Sequence, residues 1–325
     1  MLLPPVATWP VLLGGLWAVE LWVAPGIRAQ NRPDDAESGD PAPVRVVAYN
    51  LRNWLHLERR VDGEIVAEAP KPEAEKAVAV RMLAALKPDV VGICEIGTEE
   101  DLADLQARLR AAGIDLPEAH WHRGADEVRR LGLLTRFPIT RREPPGDHRY
   151  VLDGRTLRFQ RGILDVTLQI TSDYELRLVG THLKSRREVE EGDQAAIRRH
   201  EAVLLRQHVE SILSARPRAN LLVYGDFNDT KNEQTIKIVQ GRFGDAHHLR
   251  DLWLEDADGH RFTYYWNVAD TYDRIDFAFV SQGLWPEIDT RQSFIAKDTD
   301  WLKASDHRPL VIAVHPREAG GKARR

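Results

Sequence analysis

Between residues 44 and 315 the chain alternates between short, nearly uninterrupted apolar runs and longer stretches whose apolar side chains recur every three or four positions. The short runs read as strands buried on both faces, and the longer ones as helices with one apolar face. Strands are predicted at Val44 to Tyr49, Asp89 to Cys94, Leu131 to Thr135, Ile163 to Ile170, Glu175 to Gly180, Leu221 to Gly225, Ile275 to Val280 and Leu310 to Val314. Helices are predicted at Glu73 to Leu86, Glu99 to Ala112 and Asp193 to Leu213, with apolar faces at Ala79/Leu83/Leu86, Leu102/Leu105/Leu109 and Ile197/Leu204/Leu205/Ile212. Pro72 suits a helix start and Gly113 a helix stop. Tyr150 to Phe159 reads as a hairpin turning at Asp153-Gly154. Strands joined by both helices and hairpins predict an α/β fold of two mixed sheets packed face to face, with helices outside.

The first residues differ from the rest. Val6 to Val19 is apolar apart from Thr8, Leu21 to Val23 continues it, and Ala29 suits a cleavage point. Residues 1–29 therefore read as a signal peptide, which places the protein outside the cytoplasm, secreted or periplasmic. A retained membrane anchor is the alternative, although the run falls short of the ~20 residues a span needs. Residues 30–43, polar, with proline and glycine and no aromatic residue, read as a disordered linker. One domain over 44–315 and a disordered tail over 316–325 complete the chain.

With 325 residues and 43% hydrophobic content, the chain can bury a large core. The net charge of −5 argues against non-specific binding to long nucleic acid, while leaving room for a local basic groove. A single cysteine, Cys94, excludes an intrachain disulfide and reads as a small buried hydrophobe. A monomer without a stable protein partner is expected.

Polar residues recur at strand ends: Asn50, Glu95, His182, Asp226 with Asn228, and Asp306 with His307. Converging there, they suit phosphoester hydrolysis. That reaction needs a cation against the phosphoryl oxygens, a base for water and donors for the transition state. Oxygen ligands such as Glu95 and Asp306 suit Mg²⁺, with Mn²⁺ as the alternative; Asn50 suits a metal-bound water. Asp226 and Asn228, two apart on an extended segment, would project to one side. His307 needs a carboxylate to fix its tautomer, and Asp276 is the natural candidate.

Gly225-Asp226-Phe227-Asn228, Arg274-Ile275-Asp276-Phe277 and Ser305-Asp306-His307 resemble the signatures of the endonuclease/exonuclease/phosphatase superfamily. Ala48-Tyr49-Asn50-Leu51, Ile93-Cys94-Glu95, the segment from Gly132 to Ile139, and Gly180-Thr181-His182-Leu183-Lys184 resemble its other motifs, in the same order. The match spans residues 44–315. The resemblance implies a DNase I-like four-layered α/β sandwich. It further implies that Glu95 binds the metal with Asn50 and Asp306 assisting, and that Asp226 activates water. Asn228 would orient the water or the phosphate, His182 and His307 would contact the phosphate, and Asp276 would brace His307. Cys94 stands where the family usually has Gln, which implies one hydrogen bond fewer near the metal. No carboxylate partner for His182 is evident.

Lys184, Arg186 and Arg187 read as a cationic rim that steers an anionic substrate. Other polar residues have plainer readings. His120 and His122 fit a partly exposed strand, His247-His248 a loop, and Arg141-Arg142 a solvated edge. Arg198-Arg199 fit a solvated helix face and Trp301 the core. The favoured function is an extracytoplasmic nuclease or phosphodiesterase acting on DNA or RNA. The alternatives are a phosphomonoesterase or lipid-headgroup phosphodiesterase, and a non-catalytic binding module on the same fold.

Overall fold

The computed structural model describes residues 42–318. The expected leader, most of the linker and residues 319–325 of the tail lie outside the described residues. Among the described residues no helix is long and apolar enough to cross a membrane.

Two six-stranded mixed sheets form the frame. In the first, the order is Phe294–Ile295, Leu310–Val314, Val44–Trp54, Val90–Ile96, Arg130–Thr135, Glu118–His122. In the second it is Arg250–Asp251, Asp276–Val280, Leu221–Asp226, Tyr174–His182, Ile163–Thr171, Ile139–Arg142. Each sheet carries one parallel pair at its centre, Val44–Trp54 beside Val90–Ile96 and Tyr174–His182 beside Leu221–Asp226. The remaining ladders are antiparallel.

Three apolar layers hold the sheets and helices together. Val46, Ala48, Leu133, Leu178, Leu222 and Ile312 fill the space between the sheets. Val47, Tyr49, Leu83, Leu105 and Val311 join the first sheet to the Glu73–Leu86 and Glu99–Ala111 helices. Val179, Val223, Phe277, Leu205 and Val209 join the second sheet to the Gln194–Ala215 helix. Neighbouring residues on one strand thus enter different layers, which is why the central strands are apolar at nearly every position. The result is the four-layered sandwich. At Gly92 the sheets come close: a Cβ there would lie 2.1 Å from the Tyr224 ring.

The helix ends follow local chemistry. Thr98 and Asp101 form a reciprocal capping box, and Gly113 (φ +85°) ends that helix as expected. Asp153 and Gly154 both adopt positive φ at the 149–158 turn, as a two-residue hairpin demands. Missing from the sequence reading are the 57–69 hairpin, the 264–273 hairpin and the Gln234–Gln240 helix. Their strands or turns are short, exposed or weakly periodic, so the apolar pattern carries no signal for them.

Arg198 corrects one expectation. It lies buried on the inner face of its helix, with Nε 3.1 Å from Asp229 Oδ2 and Nη1 donating to the Lys184 carbonyl. Arg199 is exposed as expected. His122 is likewise fully buried rather than partly exposed, while His120 is half-buried. Arg141 and Arg142 are exposed on an edge strand, His247 and His248 lie in a loop, and Trp301 is half-buried against the helix-side core.

Candidate active site

The ends of the two parallel strand pairs meet at one rim, and ladder register places the polar residues there. His182 is the register partner of Asp226, and Asp226 the partner of Asp276, so three polar residues stand in a row across adjacent strands. Gly225 precedes this row with φ +144°; a Cβ there would lie 1.9 Å from the Thr181 carbonyl oxygen, so only glycine lets the strands close up. From the facing sheet, Asn50 ends its ladder opposite Cys94, and Glu95 follows.

Glu95 is pushed out of its strand. The register slips on both sides of it, between Cys94 and Ile96, and its backbone has φ 63°. Arg52 (φ 46°), Asn53 (φ 61°) and Asn228 (φ 52°) are also left-handed. All four line one pocket of about 570 Å³. Strained backbone gathered at one place marks a site whose geometry the fold enforces at a cost. Cys94 is the small buried hydrophobe that was expected. Its thiol points between the sheets, toward the Thr181 carbonyl at 3.4 Å, while only Glu95 faces the pocket.

Asp226 sits at the centre, 2% exposed. Its Oδ1 accepts the Asn228 N–H (2.9 Å) and its Oδ2 accepts the Asn50 Nδ2 (3.0 Å). Nε2 of His182 and of His307 lie 3.5 and 3.6 Å from the same Oδ2. Asn228 is not extended as predicted; its left-handed turn sends its amide to the Leu183 carbonyl (3.0 Å) and its N–H back to Asp226. Asp276 Oδ2 lies 2.8 Å from His307 Nδ1. Thr263 Oγ1 accepts the Asp276 N–H, and Ser305 Oγ accepts the His307 N–H while donating to the Asn50 carbonyl. The backbone N–H of each member of the pair is therefore held by a hydroxyl side chain.

Burial pushes Asp226 up to about 7, with the His307 charge pulling the other way. Burial opposes charge on His307, but Asp276, Asp226 and Asp306 together push it up to about 10. Burial, helped by Arg161, holds His182 well below its ordinary value, so it is neutral. Its Nδ1 is buried without a partner. The carboxylates the sequence did not pair with His182 are Asp226 at 3.5 Å and Glu95 at 4.0 Å.

A family model described as "Endonuclease/Exonuclease/phosphatase family" matches residues 61–307, three quarters of the chain. The chain belongs to the endonuclease/exonuclease/phosphatase family. Family members are phosphoester hydrolases and typically use divalent metals. No curated protein matches it in sequence. Among solved structures it is similar to an endonuclease/exonuclease/phosphatase from Bacteroides vulgatus (TM-score 0.60, 15% identity, 85% of this chain and 100% of that one). It is also similar to the human Nocturnin catalytic domain with bound sulfate (TM-score 0.56, 19% identity, 84% and 95%). Sphingomyelinase C from Streptomyces griseocarneus is a third (TM-score 0.54, 14% identity, 84% and 100%). At these identities the likeness establishes the DNase I-like fold.

The donor set fits the divalent metal of this family. Glu95 and Asp306 line the pocket with only distant cations, Arg129 at 3.9 Å and Arg52 at 3.8 Å. Asn50 bridges Glu95 (3.4 Å) and Asp226 through its amide nitrogen, and its oxygen accepts the Arg52 N–H. Asp226, Asp276 and His307 also come within metal-binding distance of one another. His307, cationic, lies between them, with Nδ1 2.8 Å from Asp276 and Nε2 3.6 Å from Asp226, so the three form an ion-paired row with no room left for a metal among them. A further cluster, Asp256, Asp258 and His260, lies elsewhere; buried Arg308 donates to Asp256 at 2.8 Å and neutralises it.

The expected cationic rim holds only in part. Lys184 is buried, its ammonium donating to the Ser185 and Arg187 carbonyls of its own loop. Arg186 turns to the Asn228 carbonyl, Asp229 and Asp273. Arg187 is exposed and lines the pocket. Sequence reasoning missed Tyr264, whose ring tilts over His307 at 4.8 Å. It also missed Arg129 and Arg161, both organised by Asp126. Arg161, two residues before an apolar strand, carried the same signal as the residues that were found.

Glu201, on the helix behind the site, accepts the N–H groups of Gln160 and Lys184 from two pocket segments. Burial pushes it up to about 7, from 4.5 when exposed. A carboxyl raised in this way favours folding fully below about 4.5, and that contribution is lost as pH rises through 7. The loss is worth roughly 3 kcal/mol at most. Glu201→Gln is expected to flatten the fall in melting temperature between pH 5 and pH 8. An unchanged slope in thermal melts would contradict this assignment.

Proposed function

We propose that the protein is a Mg²⁺-dependent phosphodiesterase acting outside the cytoplasm, with Mn²⁺ as an alternative metal. The observation that carries this reading is the buried Asp226 carboxylate, set between neutral His182, cationic His307 and Asn50. Glu95 and Asp306 would hold the metal, which supplies charge against the phosphoryl oxygens when bound. Asp226 orients the attacking water and takes its proton, and a value near 7 suits a base working near neutral pH. His307, charged and braced by Asp276, offers Nε2–H to a non-bridging oxygen. Neutral His182, whose Nε2 lies 3.5 Å from the same Asp226 oxygen, adds a second donor.

The lining of the pocket supports a compact phosphoester over long duplex DNA. Arg52, Arg129, Arg161, Lys184, Arg187 and cationic His307 face Glu95, Asp126, Glu188, Glu191, Asp226 and Asp306. A groove for several phosphates needs an excess of cations, and these charges nearly balance. The nuclease reading therefore narrows to short or terminal phosphodiesters, beside the headgroup alternative.

The test offers the purified protein bis(4-nitrophenyl) phosphate, a dinucleotide, sphingomyelin and plasmid, each with Mg²⁺ or Mn²⁺. Hydrolysis is expected to vanish with EDTA and return on adding metal back. Hydrolysis that persists in EDTA would refute the metal assignment, and plasmid as the sole substrate would refute the compact one.

A further inference from the structure

One side of the pocket is walled by two segments that do not belong to either large sheet: the 149–158 hairpin and the loop 183–192. They are fastened to each other and to the helix behind them. Arg155 Nη1 donates to the Glu190 carbonyl at 3.2 Å. The backbone at Gly192 sits so close to Leu152 that a Cβ there would lie 3.1 Å from Leu152 Cδ2. Val189 bridges back to Gly192, which folds the loop on itself. Tyr150 stacks flat on His200 of the long helix, centroids 5.0 Å apart and planes 8° apart. The wall is therefore a built surface.

Its inner lining is mixed. Tyr150, Leu157, Val189 and Ile197 supply apolar surface, with Glu188 and Glu191 nearby. The cations on this side are largely matched already: Asp126 faces Arg161 at 3.1 Å, and the Lys184 ammonium is held by its own loop. Arg187 alone stands against two glutamates. A second phosphate would find no net positive charge here, whereas an uncharged organic group would find apolar contact. A volume of about 570 Å³ is in the range of small-ligand pockets.

We propose that this wall is the specificity surface of the site, admitting a phosphodiester that bears one compact, uncharged, partly apolar organic group and excluding duplex nucleic acid. The proposal rests on the phosphoesterase reading for its scissile phosphate. The test separates the two by measuring binding apart from turnover. Full-length Asp226→Asn protein is titrated calorimetrically with bis(4-nitrophenyl) phosphate in Mg²⁺, and turnover is measured in parallel with Asp226 intact. Adding Leu157→Trp or Val189→Trp fills the lined side and is expected to weaken binding at least about tenfold. Val151→Trp, on the exposed face of the same hairpin, is expected to change nothing. A short DNA duplex is expected not to displace the probe. The wall proposal is overturned by no saturable binding to the parent, by wild-type affinity in both filled variants, or by displacement with duplex. If the affinity pattern holds but no phosphoester is hydrolysed, the wall stands and the catalytic reading falls.

Discussion

Asp226→Asn is expected to lower phosphoester hydrolysis by about 10³-fold while leaving the protein folded. The size follows from what a positioned general base contributes, roughly 10² to 10⁴. Asparagine keeps the shape and an acceptor for the Asn228 N–H, but it cannot take a proton. Folding should survive because the substitution removes a carboxylate that burial already disfavours, against the loss of one hydrogen bond to Asn50. The base assignment also fixes the acid limb of the rate profile. Asp226 works deprotonated, so kcat/KM is expected to rise with pH through about 7. Steady-state kinetics with thermal melts check both parts. Activity within tenfold of the parent would remove Asp226 from the role of base.

The second large effect is expected at Asp276. This residue does not line the pocket, yet Asp276→Asn should cost about 10² or more in kcat. The carboxylate Oδ2 accepts from His307 Nδ1 at 2.8 Å and heads the contacts that favour its charge over the opposing effect of burial. An amide can turn its NH₂ toward Nδ1 and so favour the wrong tautomer. It also removes a negative charge, so His307 should lose its proton at lower pH than the parent's value of about 10. The alkaline limb of the rate profile, where His307⁺ is lost, is therefore expected to move toward neutral pH. A purely structural role would lower activity without moving that limb. An unmoved alkaline limb in Asp276→Asn would show that His307 does not act as the cation.

Much of the site was legible in the sequence because its residues punctuate apolar strands. Asp226, Asp276 and His307 each flank a run of buried positions, where a polar side chain has few structural reasons to stand. The Asp276–His307 pairing was legible from the needs of an imidazole. Arg198 and Lys184 were misread for a complementary reason. Both occupy polar stretches that look solvated in one dimension: Arg198 is buried against Asp229, distant in sequence, whereas Lys184 turns back onto the carbonyls of its own loop. Tyr264 and Glu201 had no local signal, since their partners lie tens of residues away or are backbone groups of other loops.

By itself the sequence determined the alternation of strands and helices, the two-sheet class, and the set of polar residues at the strand ends. These depend on period, punctuation and residue chemistry, all written along the chain. Tertiary structure alone decided the row His182–Asp226–Asp276, since register is a property of paired strands. It alone turned Glu95 into the pocket, because a one-residue bulge re-aims the side chain. It alone set the charge states, because burial and neighbouring charges arise only when the two sheets close over Asp226.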